Sequence, residues 1–337
     1  MIESTLGRVA AGEHLSMDET ADVIGAIMDG KWQDEQIGLL LVGLRNNGET
    51  VEEVAGAALA MRRHMIPIQT GRDGLIDTCG TGGSGSNTFN ISTSAALVTA
   101  AAGVPVAKHG NRKITSRSGS ADVLAALGVN IEATVVQVER CLDELGICFC
   151  FAPLLHPAMK QVAAVRRKLG VGTIFNLLGP LTNPAGAPFQ LLGAGRSEFR
   201  TLLAEALRLL GTKRAHVVAG ADGLGEVTLA DATLVSSVTP AGVEETSWTP
   251  EDFGIARQEL AALTVEDSLQ SASIVRDVLA GSLGPARDIV ILNSAAALFT
   301  AGAVDDLKAG QARATEAIDS GAAQRLLSDL VQLGNQS

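Results

Sequence analysis

The stretch from residue 75 to residue 128 constrains this chain more than any other. Residues 75–79 form a short apolar run that reads as a buried strand, ending in Gly80-Thr81-Gly82-Gly83-Ser84-Gly85. Glycines at that density permit positive φ and a close approach of backbone to a ligand. Asn90-Ile91-Ser92-Thr93 then opens an Ala-rich helix, with Ser and Thr expected at its N-cap. The pattern repeats at once. Residues 104–108 read as a second strand, His109-Gly110-Asn111-Arg112 turns out of it, and Thr115-Ser116-Arg117-Ser118-Gly119-Ser120 leads into a helix over 121–127. A helix N-terminus preceded by free loop amides attracts anions. Two adjacent strand–loop–helix units thus predict one polyphosphate site at one sheet edge, served by glycine amides, hydroxyls, Lys108, Arg112 and Arg117. No Gly-Lys-Ser/Thr closes a Walker loop, and the acidic residue of a dinucleotide fingerprint is missing.

Those cations stand out against an acidic background, because the net charge of the 337 residues is -11. Nucleic-acid binding needs a basic footprint and is not expected. A chain that is 46% hydrophobic and 19% charged can bury a sizeable core. No apolar run reaches membrane-spanning length, and no basic segment followed by an apolar signal core opens the chain, so a cytoplasmic protein with no membrane partner is expected. Cys79, Cys141, Cys148 and Cys150 support no disulfide framework. Cys148-Phe149-Cys150 lies in an apolar run over 147–151 that reads as a buried strand, not a metal site.

Ahead of the glycine loops the chain reads as helical. Ser16 with Glu19 and Thr50 with Glu53 are capping-box patterns, and apolar spacing predicts helices over 17–28, 34–45 and 51–64. Gly38 and Gly43 on a Leu-rich helix predict close helix packing. Residues 66–71 read as a linker. After the loops come a helix over 135–145, the cysteine-bearing strand, a helix carrying Lys160, Arg166, Arg167 and Lys168, and a turn-rich crossover over 172–184. Strand and helix patterns then alternate over 189–194, 198–210 and 215–219, which predicts a largely parallel sheet covered by helices. Asp222-Gly223-Leu224-Gly225 reads as a turn in which Gly225 needs positive φ. Residues 235–247 read as antiparallel strands, 288–293 as a hydrophobic strand or a buried helix start, and the C-terminal segments as amphipathic helices.

GTGGSGSNTFNIST followed by VAKHGNRKITSRSGSADVLAALGVN resembles the anthranilate phosphoribosyltransferase family, and later motifs extend the resemblance over nearly the whole chain. It implies an α/β fold: a small N-terminal helical domain, 1–70, and a large α/β domain, 71–337, whose central, mostly parallel sheet is covered by helices, as in nucleoside phosphorylases. The segment near 155–187 is expected to pack with the helical domain. The implied activity is transfer of the phosphoribosyl group of phosphoribosyl pyrophosphate to the amine of anthranilate in tryptophan biosynthesis. Mg2+ is the implied cofactor, and a homodimer through the N-terminal helices the implied assembly. A pyrimidine nucleoside phosphorylase-like enzyme and a non-catalytic nucleic-acid-binding paralogue are the alternatives.

Carried over by motif, the implied phosphoribosyl pyrophosphate contacts are Gly80, Gly83, Ser84, Thr88, Asn90, Ile91, Ser92, Thr93, Lys108, His109, Gly110, Asn111, Arg112, Lys113, Ile114, Thr115, Ser116 and Ser120. Gly80, Asn111 and Arg166 are the implied anthranilate contacts; a guanidinium suits a planar carboxylate because it donates two parallel hydrogen bonds. Ser92 and Glu226 are the implied metal ligands. The family usually has Asp at the positions of Gly225, which the resemblance would add to the metal site, and of Ser84, and often a second arginine at that of Gly172. No covalent nucleophile is required, and no Ser/His/Asp or Cys/His constellation is evident.

Overall fold

The computed structural model describes residues 2–113 and 117–336. At the N-terminus, α1 (Ile2–Ala10) precedes α2 (Met17–Met28), whose cap Ser16 exchanges hydrogen bonds with Glu19. α3 (Asp34–Asn47) runs two residues past its expected end and stops at Gly48, at φ 77°. Thr50 and Glu53 close the second capping box, at the start of α4 (Val51–His64). A Cβ on Gly43 would come 2.6 Å from Val9 Cγ1, so the glycine lets α1, which the sequence reading missed, lie directly on α3.

The α/β part begins with β1 (Ile76–Asp77), α5 (Ile91–Ala101), β2 (Val106–Gly110), α6 (Ser120–Ala126), α7 (Val135–Leu145) and β3 (Ile147–Phe151). The crossover follows as α8 (Ala152–Leu155), α9 (Lys160–Leu169) and the short α10 (Phe175–Leu178). Then come β4 (Phe189–Gly193), α11 (Arg200–Leu209), β5 (Arg214–Gly220), β6 (Thr233–Thr239) and β7 (Gly242–Trp248). The chain ends in α12 (Ser268–Leu279), α13 (Pro285–Ala301), α14 (Leu307–Asp319) and α15 (Ala322–Gly334). The sheet order is β3-β2-β1-β4-β5-β6-β7. Pairing is parallel from β3 through β5, and antiparallel to β6 and β7.

One expectation is corrected. The strand expected over 75–79 shrinks to Ile76 and Asp77, because the chain diverges there into the glycine loop and pairs again only at Gly80, against Gly193. Of the two alternatives for residues 288–293 the helix holds: they lie inside α13, where Ile289, Val290, Ile291 and Leu292 are all buried. An apolar run wrapped on all sides has no periodicity to separate helix from strand.

Side chains alternate across the sheet and divide the core in two. Leu191 and Val218 belong to the apolar cluster built with α5 and α13, whereas Leu192 and Val217 belong to the one built with α2, α3 and α4. Val162 and Val165 of α9 and Leu177 and Leu178 of α10 join the second cluster. The N-terminal helices therefore share their core with one face of β4 and β5.

His216, on the other face of β5, carries a pH prediction. Its Nδ1 lies 2.8 Å from Thr300 Oγ1, whose own hydrogen goes to the Ala296 carbonyl, so the imidazole donates. The ring packs against Trp248 and Phe299. Burial pushes its pKa down to about 4. A folded pKa below the unfolded value means stability is complete above about 6.5 and is lost as pH falls toward the folded pKa. About 2 kcal/mol is expected to be gone at pH 5. His216→Gln should flatten the fall in Tm between pH 7 and pH 5; an identical fall in both proteins would assign acid sensitivity elsewhere.

Candidate active site

The carboxyl ends of β1 and β2 open onto one cavity of about 250 Å³. Its walls are the loop of residues 79–90, residues 108–113 and 118–120, Ser92 and Glu226. Gly82, Gly83 and Gly85 all take positive φ, as does Asn87 at 51°. The loop is stacked closely on the end of β4: a Cβ on Gly195 would lie 2.1 Å from the Gly82 carbonyl oxygen, and one on Gly193 would lie 1.9 Å from that of Gly225. The sequence reading missed this support, although Gly193-Ala194-Gly195 directly after a strand was its signal.

Asn90, not a Ser or Thr, caps α5. Its Oδ1 accepts from Thr93 N at 3.0 Å and from Ser92 Oγ at 3.3 Å, which places Ser92 and Thr93 in the first turn. A short amide side chain reaches the third amide of the helix and leaves the loop's own amides to the cavity.

Of the candidate residues, Gly80, Gly83, Ser84, Thr88, Asn90, Ser92, Lys108, His109, Gly110, Asn111, Arg112, Lys113, Ser120 and Glu226 line this cavity. Ile91 and Thr93 do not; both are buried on the inner side of α5. Ile114, Thr115 and Ser116 lie outside the described residues. The cavity adds Thr81, Gly82, Ser86, Asn87, Ser118 and Gly119, which lay within the two motifs but were not singled out.

The expected convergence of three cations is also corrected. Lys108 alone is buried in the site, with its Nζ donating to the Thr78 carbonyl at 3.1 Å and to Ser92 Oγ at 3.3 Å. Arg112 stays at the rim, 3.5 Å from Asp122 and 3.4 Å from Glu132, with its guanidinium over the Phe151 ring. Arg117 does not line the cavity.

Beneath Lys108 lies a polar network that no motif announced. Asp77 is fully buried and accepts from His109 N at 3.2 Å and from Asn183 Nδ2 at 2.8 Å. Burial raises the Asp77 pKa and lowers that of Lys108, and negative charge on Asp77 and Glu226 opposes the loss of the lysine proton. Among the described residues Glu226 is the one acidic residue of the cavity wall, and desolvation raises its carboxyl to about 7. Burial holds the Cys79 thiol well above its usual value, which removes it as a nucleophile.

Among the described residues no group of three or more His, Cys, Asp or Glu side chains is placed to hold a metal ion. Glu226 and the Ser92 hydroxyl beside a phosphate-sized cavity nevertheless fit Mg2+, which binds through one or two carboxylates, substrate phosphates and retained water. Gly225 flanks a smaller pocket of about 20 Å³ together with Glu226, Gly80 and Ser92. The positive φ of its turn falls on Gly223, at 88°, and not on Gly225, which corrects the expectation. A Cβ on Gly225 would meet Gly195 Cα at 3.1 Å and Ser84 Cβ at 3.6 Å, so the two positions that lack the family's Asp are neighbours.

Arg166 lies outside the first cavity. Its Nη2 donates to Asn176 Oδ1 at 3.3 Å, and its guanidinium sits over the Phe175 ring. Asn176 lines a second cleft of about 400 Å³, which shares Thr81, Gly82 and Gly83 with the first. Asn111 and Gly80 are therefore brought together, while Arg166 stands apart on α9.

Residues 3–65 match the helical bundle domain of a glycosyl transferase family, and residues 72–324 match that family's a/b domain. The anthranilate phosphoribosyltransferases of Moorella thermoacetica and Anaeromyxobacter sp. strain K are 48% and 52% identical over 331 residues, in each case 98% of this chain and 98% of the relative. The crystal structure of the Thermus thermophilus enzyme superposes with a TM-score of 0.93 at 43% identity, covering 98% of this chain and 99% of that one. The Saccharomyces cerevisiae enzyme, solved in complex with PRPP and Mg, superposes at 0.90 with 28% identity, covering 99% and 97%. With an unbroken match of sequence and fold across both of its parts, the chain belongs to the anthranilate phosphoribosyltransferase family.

Proposed function

We propose that this protein transfers the phosphoribosyl group of phosphoribosyl pyrophosphate to the amine of anthranilate, releasing pyrophosphate, and that the cavity at the ends of β1 and β2 is where it does so. The observation that carries this reading is the pairing of two glycine- and hydroxyl-rich loops around a buried ammonium, Lys108, and a lone carboxylate, Glu226. The yeast relative binds PRPP and Mg, and in a variant form 4-fluoroanthranilate, in its solved complexes. A nucleoside phosphorylase or a nucleic-acid-binding paralogue is not favoured by these relatives, nor by a net charge of -11.

In this reading the loop amides around Gly83 and Ser84, the first turn of α5 and Lys108 bind the phosphates. Ser120, Arg112 and Lys113 complete the rim, while Asn111, Gly80 and Arg166 hold the aromatic acid. Ser92 and Glu226 would hold Mg2+, which when bound neutralises charge on the leaving pyrophosphate. Departure of that group leaves positive charge on the ribose, so catalysis consists of stabilising the pyrophosphate by amides and Lys108 and holding the amine in line with C1′. Boundaries at 1–70 and 71–337, a homodimer through α1 to α4, and a cytoplasmic location belong to the same proposal. Among the described residues no helix is long and apolar enough to cross a membrane.

The test is to mix protein, anthranilate, phosphoribosyl pyrophosphate and Mg2+ and follow loss of anthranilate fluorescence. Signal loss only with all components present is expected; an unchanged signal in the complete mixture would sink the reading. Gly225→Asp probes the metal side. Its φ tolerates a side chain, Ser84 is at ordinary contact distance, and the Gly195 backbone needs to give a few tenths of an ångström. The added carboxylate should shift the Mg2+ optimum downward with Tm little changed. A variant that folds normally with the parent's Mg2+ dependence would mean that this position does not face the metal.

A further inference from the structure

His109 and His156 come from separate elements and meet nitrogen to nitrogen, with His156 Nε2 3.1 Å from His109 Nε2. The other ring nitrogen of His109, Nδ1, lies 3.0 Å from the Gly179 carbonyl oxygen. A carbonyl only accepts, so Nδ1 carries the hydrogen. The neutral ring then has a bare lone pair at Nε2, and His156 Nε2 must supply the hydrogen to it. Protonating His109 would set N–H against N–H. The bonds therefore run in one direction, from His156 to His109 to Gly179, and both rings are buried, at 6% and 4% exposure.

We propose that His156 is a positioning residue: by donating to His109 it fixes that ring's tautomer and plane, and so registers the loop bearing Asn111 against the segments bearing Arg166 and Asn176. The proposal rests on the reading of Asn111 and Arg166 as anthranilate contacts. His109 is the penultimate residue of β2, two residues before Asn111, Gly179 follows α10 three residues after Asn176, and His156 stands immediately before the turn that feeds α9. Two hydrogen bonds through one ring thus tie the end of β2 to the end of α10 and to the segment leaving β3, beyond the β2–β3 pairing that ends at Gly110 and Phe151.

The surroundings keep both rings neutral. The backbone N–H of His109 is bonded to buried Asp77, its strand neighbour is Lys108, and its register partner on β3 is Cys150. No carboxylate hydrogen-bonds either ring among the described residues. Burial, each ring's neighbour and the Lys108 charge push His109 down to about 3, and burial pushes His156 down to about 4. With both nitrogens engaged, His109 has none left to act as a general base, although it lines the cavity.

The ligand-free enzyme labelled with 15N-histidine tests the bonding directly, with five histidines to assign. Expected are His109 protonated at Nδ1, His156 protonated at Nε2, and both neutral at pH 5.5. His109 protonated at Nε2, or a cationic ring at that pH, overturns the proposal and leaves the substrate reading standing. Kinetics test the positioning role. His156→Gln, which retains an amide donor, should keep KM for anthranilate within a factor of about three, whereas His156→Leu should raise it about tenfold, as when a buried acceptor loses its donor. KM for phosphoribosyl pyrophosphate should hold in both. Equal damage in the two variants, equal damage to both substrates, or no effect in His156→Leu overturns the role; the anthranilate reading itself is tested separately, by Arg166→Ala.

Discussion

Lys108→Met should lower kcat/KM for phosphoribosyl pyrophosphate by about 1000-fold, a loss of about 4 kcal/mol, within the range seen when one partner of a buried charge pair is truncated. Among the described residues the lysine ammonium is the one cation buried within the cavity wall, and it is bonded to Ser92 in the first turn of α5. Its removal takes the positive charge from beneath the phosphates and leaves Glu226 facing them alone. Stability should respond differently. The folded protein bears the desolvation of that ammonium, and an apolar side chain of similar length avoids it. Asp77 and Glu226, whose pKa values burial already raises, can each take up a proton when the lysine is gone. Tm is therefore expected to hold or rise while activity collapses. A Tm that falls in step with activity, or calorimetric affinity for phosphoribosyl pyrophosphate equal to the parent's, would show that Lys108 supports the fold and not the ligand.

Arg166→Ala should raise KM for anthranilate about 30-fold, the low end of the loss expected for a charged hydrogen-bonding partner of an anion, with little change in phosphoribosyl pyrophosphate binding. The low end applies because Arg166 is only partly buried and its single side-chain bond is to Asn176. The guanidinium lies outside the phosphate cavity, so the two substrates should respond independently. Steady-state kinetics with each substrate varied in turn separates them. Equal damage to both would point to a folding defect through the Asn176 crossover, and an unchanged anthranilate KM would remove Arg166 from the site.

The largest steps of this fold are local and were legible in the chain. Ser16, Glu19, Thr50 and Glu53 satisfy helix-end amides within three residues of themselves, so their capping boxes could be read without knowing what packs above. The glycine loops announced themselves in the same way, because positive φ at Gly82, Gly83 and Gly85 is a property of the residue. What lay beyond reach depended on partners distant in sequence. The helical state of 288–293 follows from apolar neighbours on every side, and the place of α1 follows from the space that Gly43 leaves for Val9.

The site divides along the same line. Glycines, hydroxyls and a lysine at two strand ends were enough to predict that the two loops share one cavity. Sequence cannot state how far a side chain reaches or what already holds it. Arg112 and Lys108 look alike in a motif, yet Asp122 and Glu132 keep the first at the rim while burial between Thr78 and Ser92 commits the second to the interior. Asp77, Asn183 and His156 carried no signal because each acts through a group between 32 and 106 residues away. Local backbone preference and composition decided which loops wall the cavity; the burial of charge, which exists only once distant segments have closed over it, decided which of their side chains point inward.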